Sequence, residues 1–180
     1  MLAWLKKGSD RSQVARSLYG SSVTQARAPV LYADWGVPDT LQGRFEMIVL
    51  HLALALRRLR AEGAAGQRLS QALTETFVVD MDDSMRELTF SDLRVPKEIK
   101  RATAALFDRH AAYLAALAGP HDISLAEALA AQLAYLDPNS RLDARGLSDY
   151  VKRCAGALDA EPAAEILAGR LAWPHLAGRE

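Results

Sequence analysis

The stretch DTLQGRFEMIVLHLALALRRLRAE, residues 39–62, decides the fold. Asp39 precedes Thr40, and Gln42 follows three residues after Asp39, a variant of the capping box that satisfies the orphan N–H groups at a helix start. Beyond it Leu41, Phe45, Ile48, Val49, Leu52, Leu56 and Leu59 recur at i, i+3, i+4 and i+7, one apolar face of a helix running to about Glu62. Met47, Leu50 and Leu54 add a second apolar patch on roughly the opposite side. A helix that is apolar on two sides needs cover on both, so this one is predicted to be the central helix of a bundle.

The flanking sequence supplies the cover. Ser9 or Asp10 is placed to cap a helix running to about Arg27, with Val14 and Leu18 on one face, and Pro29 ends it. A loop punctuated by Tyr32, Trp35, Gly36 and Pro38 leads into the central helix. After a turn at Gly63–Gly66, the apolar line Leu69, Leu73, Phe77, Met81, Met85 and Leu88 drifts, which predicts one bent helix or two short ones over 67–88. Phe90–Val95 reads as a connector, and Pro96 suits a first helical position. Ile99, Leu106, His110, Tyr113 and Leu117 line one face before Gly119-Pro120 breaks the helix. Shorter helices follow over 125–136, around 147–158 and near 163–170, the first of them capped by Ser124. Strand patterns are nearly absent, and the expectation is a single all-α domain over 1–180, a compact bundle of six to seven helices.

Composition narrows the function. Half of the 180 residues are hydrophobic, and 22 basic residues balance 22 acidic ones, which argues against a protein that coats nucleic acid or anionic membrane through bulk charge. The charge is nevertheless uneven. Residues 1–30 carry five basic and one acidic residue, and residues 91–120 carry five basic and three acidic, so an N-terminal arm and the Arg94, Lys97, Lys100, Arg101 group are the candidate surfaces for an anionic partner. The lone cysteine, Cys154, allows no internal disulfide, and a reducing cytoplasm is the default compartment. No secretory or transit pattern precedes the fold, and the longest apolar run, 45–56, falls short of the ~20 residues of a membrane span. Leu2, Trp4 and Leu5 before Lys6 and Lys7 suit a membrane interface, but a frayed terminus is the simpler expectation.

The motifs of common enzymes are missing. There is no phosphate-cradling glycine loop, Gly-x-Ser-x-Gly elbow, Cys-x-x-Cys or His-Glu-x-x-His, and neither His51 nor His110 closes a Glu-x-x-His pair. Asp80, Asp82 and Asp83 form an acidic knot too sparse for a cation loop, and Asp82 with Arg86 fits a helical i, i+4 ion pair. His51 shares a side of the central helix with Arg44 and Arg58, seven residues either way. That spacing suits a structural hydrogen bond or a polar spot at the edge of a partner groove. His110 and Cys154 sit on apolar faces and read as a satisfied core histidine and a buried, inert thiol.

Tyr32, then Gly36-Val37-Pro38-Asp39-Thr40, Gly43-Arg44-Phe45-Glu46 and Leu50-His51, resemble the signature of the ubiquinol–cytochrome c chaperones. The likeness continues through Asp80-Met81-Asp82, Arg86-Glu87, Asp92-Leu93, Val95-Pro96-Lys97 and Arg109 with Tyr113, in order over about 30–120. Thr89-Phe90-Ser91 departs from it where a glycine-containing turn is expected. The resemblance implies a non-enzymatic chaperone of bacterial type, without cofactor or metal, that assists assembly of the cytochrome bc1 complex. It implies cytochrome b or another bc1 subunit as client, with peripheral contact to ribosome or inner membrane, and leaves a second subunit open. Candidate partner-binding residues are Arg44, His51, Arg58, Asp80, Asp82, Arg86, Arg94, Lys97, Lys100 and Arg101. The rival readings are a helical enzyme of unfamiliar type built on His51, Arg44 and Asp82, and a regulatory protein-interaction module. A deep closed pocket in which His51 and the acidic residues Asp80, Asp82 and Asp83 converge would favour the enzyme, and an open apolar groove the chaperone.

Overall fold

A computed structural model describes residues 2–87, 94–119, 122–137, 139 and 141–176. The described residues form eight helices and no strands: α1 (Leu2–Ala26), α2 (Pro29–Ala33), α3 (Leu41–Arg60), α4 (Gly63–Glu87), α5 (Val95–Ala118), α6 (Asp122–Leu133), α7 (Ala144–Ala160) and α8 (Ala163–Leu167). Six are long and two have a single turn, the all-α bundle that the sequence predicts.

α3 is the axis. It packs against α1, α4, α5, α6 and α7, and from Glu46 to Leu56 every one of its residues is buried. The two apolar sides become one continuous core, in which Met47, Val49, Leu50, Leu54 and Leu59 are joined by Leu18, Phe77, Leu106, Leu129 and Leu158. Burying a leucine or methionine side chain is worth about 1.5–3 kcal/mol, so this central column carries much of the stability. Cover on every side also means that α3 presents no open groove among the described residues. Its first residue, Leu41, is 70% exposed rather than part of the core stripe.

Several boundaries differ from the sequence reading. The cap of α3 is Thr40, one residue later than Asp39, and its hydroxyl accepts from the Gly43 N–H. Asp39 instead pairs with Arg44, and Gln42 reaches Glu46. Pro29 follows the end of α1 and also opens the short helix α2. Gly63 turns the chain with φ +56 but is already the first residue of α4, which is one continuous helix to Glu87. α1 extends forward to Leu2, and α6 starts at Asp122 and stops at Leu133. Of the expected connector over 90–95, residues 90–93 lie outside the described residues together with the Thr89-Phe90-Ser91 departure, whereas Val95 is already the first residue of α5 and Pro96 its second. Among those described, no helix is long and apolar enough to cross a membrane.

Candidate functional site

The residues between α2 and α3 build an elbow. Gly36 adopts φ +66, a left-handed conformation disfavoured for side chains with a Cβ, and the Arg141 carbonyl lies where that Cβ would go. The elbow is fastened there, since the Asp143 N–H donates to the Trp35 carbonyl at 2.9 Å. Gly43 allows the Pro38 carbonyl to press against the first turn of α3, a space that any Cβ would fill. Val37 and Pro38 are buried, so the chain turns sharply and rigidly into α3.

On the outer side of this elbow lies a recess of about 460 Å³ lined by Arg27, Pro29, Tyr32, Ala33, Asp39 and Arg44. Tyr32 donates its hydroxyl to the Ala26 carbonyl at 2.7 Å, and burial pushes its phenol up to about 12. Arg44 donates through Nε to Asp39 at 2.6 Å while staying more than half exposed. This ion pair holds the Asp39 carboxyl below its usual range. Arg27 is exposed and makes no ion pair among the described residues. Two guanidinium groups against one carboxylate leave the recess with net positive charge, beside the apolar surface of Pro29 and Tyr32. Such a concavity suits an acidic or carbonyl-rich polypeptide segment. It contains no nucleophile with a neighbouring base.

His51 is not at a groove edge. It has no exposed surface and sits in a buried polar chain. Its Nδ1–H donates to the Met47 carbonyl at 2.7 Å, which leaves Nε2 to accept the Tyr150 hydroxyl, also at 2.7 Å. The Tyr150 oxygen in turn accepts from Gln25 Nε2 at 3.0 Å. Burial pulls the imidazole down to about 4, so it is neutral near pH 7. The rings of Tyr150 and Trp173 flank it. Both ring nitrogens are therefore in use, and the residue ties α3 to α7.

Arg58 is likewise internal, 7% exposed. It donates to the Leu158 carbonyl at 2.7 Å and the Glu161 carbonyl at 2.9 Å, and pairs with Glu62, closing the C-terminal ends of α3 and α7 together. The spacing of seven that joined Arg44, His51 and Arg58 is real, but only Arg44 reaches the surface. A helix enclosed by neighbours turns a polar strip into a set of internal hydrogen bonds.

The acidic knot disperses along α4. Asp80 accepts the Tyr19 hydroxyl at 2.7 Å, Asp82 pairs with Arg86 at 2.8 Å as the i, i+4 spacing predicts, and no group of three metal-ligating side chains forms among the described residues. Arg44, His51 and Asp82 thus have separate partners and share no pocket. The basic group survives as a surface: Arg94 and Arg101 both reach Glu98, at 3.4 and 3.0 Å, while Lys97 and Lys100 are exposed on the same first turns of α5. His110 donates to the Ala53 carbonyl at 3.1 Å. Burial pushes the Cys154 thiol up to about 12.

Glu46 and Arg109, both in the signature, form an ion pair inside the bundle that their spacing in sequence does not reveal. Glu46 has no exposed surface and takes both arms of Arg109, at 3.1 and 3.2 Å. Tyr113, one turn on from Arg109 and 1% exposed, adds its ring to the same wall. A charged residue in the apolar run of α3 and a second in α5 were the available signal.

The family model of the ubiquinol-cytochrome C chaperones matches residues 33–173. The chain belongs to the ubiquinol–cytochrome c chaperone family. A crystal structure of the Cbp3 homolog from Brucella abortus is similar over 97% of each chain, at 32% sequence identity and a TM-score of 0.84. No curated protein sequence matches. The family match extends well past the 30–120 signature, through α6, α7 and α8 to Trp173. The chaperone likeness therefore includes the partners of the buried chain, Tyr150 and Trp173, and not only the elbow.

Proposed function

We propose that this chain is a non-enzymatic chaperone for assembly of the cytochrome bc1 complex, that its client is newly made cytochrome b, and that the recess at the α2–α3 elbow receives a client segment. Family membership supports the chaperone role. The single observation that carries the placement is that signature residues converge there: Gly36 and Gly43 shape the turn, and Tyr32, Asp39 and Arg44 line the recess. The other conspicuous polar residues are engaged elsewhere. His51, Arg58 and Glu46 are buried and bonded within the bundle, and Asp82 pairs with Arg86.

Exposed Leu41 stands on the first turn of α3, two residues from Asp39. An apolar client segment with one acidic or carbonyl-rich end has matching chemistry: the apolar part meets Leu41 and Pro29, the polar end meets Arg27 and Arg44. The basic start of α5 is a separate surface, suited to a ribosome or anionic inner-membrane leaflet and working with the client site at the moment of synthesis. Asp80, Asp82 and Arg86 then act as supports of α4, with Asp82 and Arg86 open to peripheral contact.

Deletion of the gene tests this reading. Assembled bc1 should fall, seen as loss of its haem spectrum and quinol–cytochrome c oxidoreduction, with unrelated respiratory enzymes intact. A deletion strain with normal bc1 contradicts it.

A further inference from the structure

A second concavity, of about 580 Å³, runs between α6 and α7 on residues that neither the elbow nor the buried chain uses. Its floor is made of small side chains one turn apart, Ala126 and Ala130 on α6, Ala144 and Ser148 on α7. Ser148 is the informative one. It is 1% exposed, it lines the concavity, and its Oγ has no hydrogen-bond partner. Buried hydroxyls in folded proteins are nearly always bonded, so this one is left for a group that comes from outside.

The rim tells which kind of partner. Glu127 and Asp149 oppose Arg145 and Lys152, two charges of each sign, so no net field draws a phosphate backbone or an anionic bilayer to this face. Lys152 and Asp149 lie 3.9 Å apart, whereas Glu127 and Arg145 are exposed and make no ion pair among the described residues. Residues 144–152 of α7 span about 12 Å along the helix axis, room for two turns of a docked helix. Small residues at i, i+4 on both walls allow backbones to approach closely.

We propose that the α6–α7 groove docks one α-helix of a partner protein, a helix with small residues on its contact face, a polar side chain that bonds Ser148, and opposite charges that meet Arg145 and Glu127. This surface is independent of the client recess, and its test does not depend on that reading.

The probe is a 20-residue alanine-rich helical peptide with a central asparagine and a glutamate and a lysine two turns apart, together with its charge-exchanged twin. Fluorescence anisotropy with the full chain should show one twin binding at least tenfold tighter than the other. In the double variant Glu127→Arg, Arg145→Glu the preference should invert, with an unchanged melt because both residues are exposed. Ser148→Ala should weaken the better twin several-fold and leave the peptide with alanine in place of asparagine unaffected. Equal binding of the twins, no binding of either, or a preference that survives the charge exchange would overturn the proposal. So would a shift from dimer to monomer in sedimentation on charge exchange, which assigns the groove to a second copy, or loss of binding to phosphatidylglycerol vesicles on Arg145→Glu, which assigns it to lipid.

Discussion

The Tyr150 hydroxyl donates to His51 Nε2 at 2.7 Å across 99 residues of sequence, and this bond joins the central helix to the C-terminal third of the chain. Neither atom is open to solvent in the ordinary sense, since both residues have no exposed surface. Gln25 extends the chain of bonds to α1 and donates at 3.3 Å to the Pro174 carbonyl, while Trp173 Nε1 donates to Ser21 Oγ at 3.0 Å. α1, α3, α7 and the segment after α8 thus meet at one buried polar point. A satisfied buried network of this kind is costly to break at any member.

Replacing His51 by alanine should therefore destabilise the fold by about 2–4 kcal/mol, the combined effect of a cavity and of unpaired groups on Tyr150 and Met47. Leu52→Ala, which removes packing alone from a 1% exposed site, should cost about 2–5 kcal/mol. Tyr150→Phe, which keeps the ring, should cost about 1–2 kcal/mol. Urea denaturation of the three variants measures this. A His51→Ala protein as stable as wild type would remove His51 from the core.

Acid should weaken the fold through the same residue. The imidazole titrates near 4 in the folded state and near 6.5 when unfolded, so between these values the unfolded chain holds the extra proton. Stability is full above about pH 7, declines as pH falls toward 4, and levels off below that, a loss on the order of 3 kcal/mol from this group. Burial shifts His110 in the same direction, which adds to the loss. Denaturation midpoints from pH 7.5 to 4.5 should drop, and less so in a His51→Gln variant. A flat profile in the wild type would contradict a neutral buried imidazole.

Local periodicity made the bundle readable. α3 shows itself through an apolar repeat on two sides, and Leu52, Leu56, Met47 and Leu54 are all core residues. What the sequence hid were contacts made at a distance. Arg44, His51 and Arg58 look alike on a helical wheel. They differ only in what α7 and the elbow place around them, Tyr150 against His51 and the Leu158 and Glu161 carbonyls against Arg58. The recess was hidden for a similar reason. Tyr32, Asp39 and Arg44 stand together in the motif, but Arg27, just past the end of α1, joins them only through the folded chain. Pro29 looked like a stop signal and is also a start, since proline breaks a helix behind it and suits the first turn ahead of it.

Changing Arg94, Lys97, Lys100 and Arg101 together to glutamine should reduce co-sedimentation with ribosomes or anionic vesicles and leave the thermal melt within a few degrees of wild type. The charges lie at the surface, where salt screens them over a Debye length of about 8 Å at physiological ionic strength. Wild-type binding should accordingly fall as salt rises from 50 to about 300 mM, across which that screening length shortens. Binding that ignores salt, or a quadruple variant that sediments like wild type, would exclude this surface.

One complementation experiment reaches the elbow recess as the client site. A strain lacking the gene is supplied with the chain carrying Arg27→Gln and Arg44→Gln, two exposed side chains whose loss leaves the core untouched. The measurement is the amount of spectroscopically assembled bc1 per unit of variant protein, with the variant's accumulation and melting temperature as controls. The expected result is a stable variant, present at wild-type level, with bc1 reduced at least several-fold. Full restoration of bc1 by that same variant would contradict it.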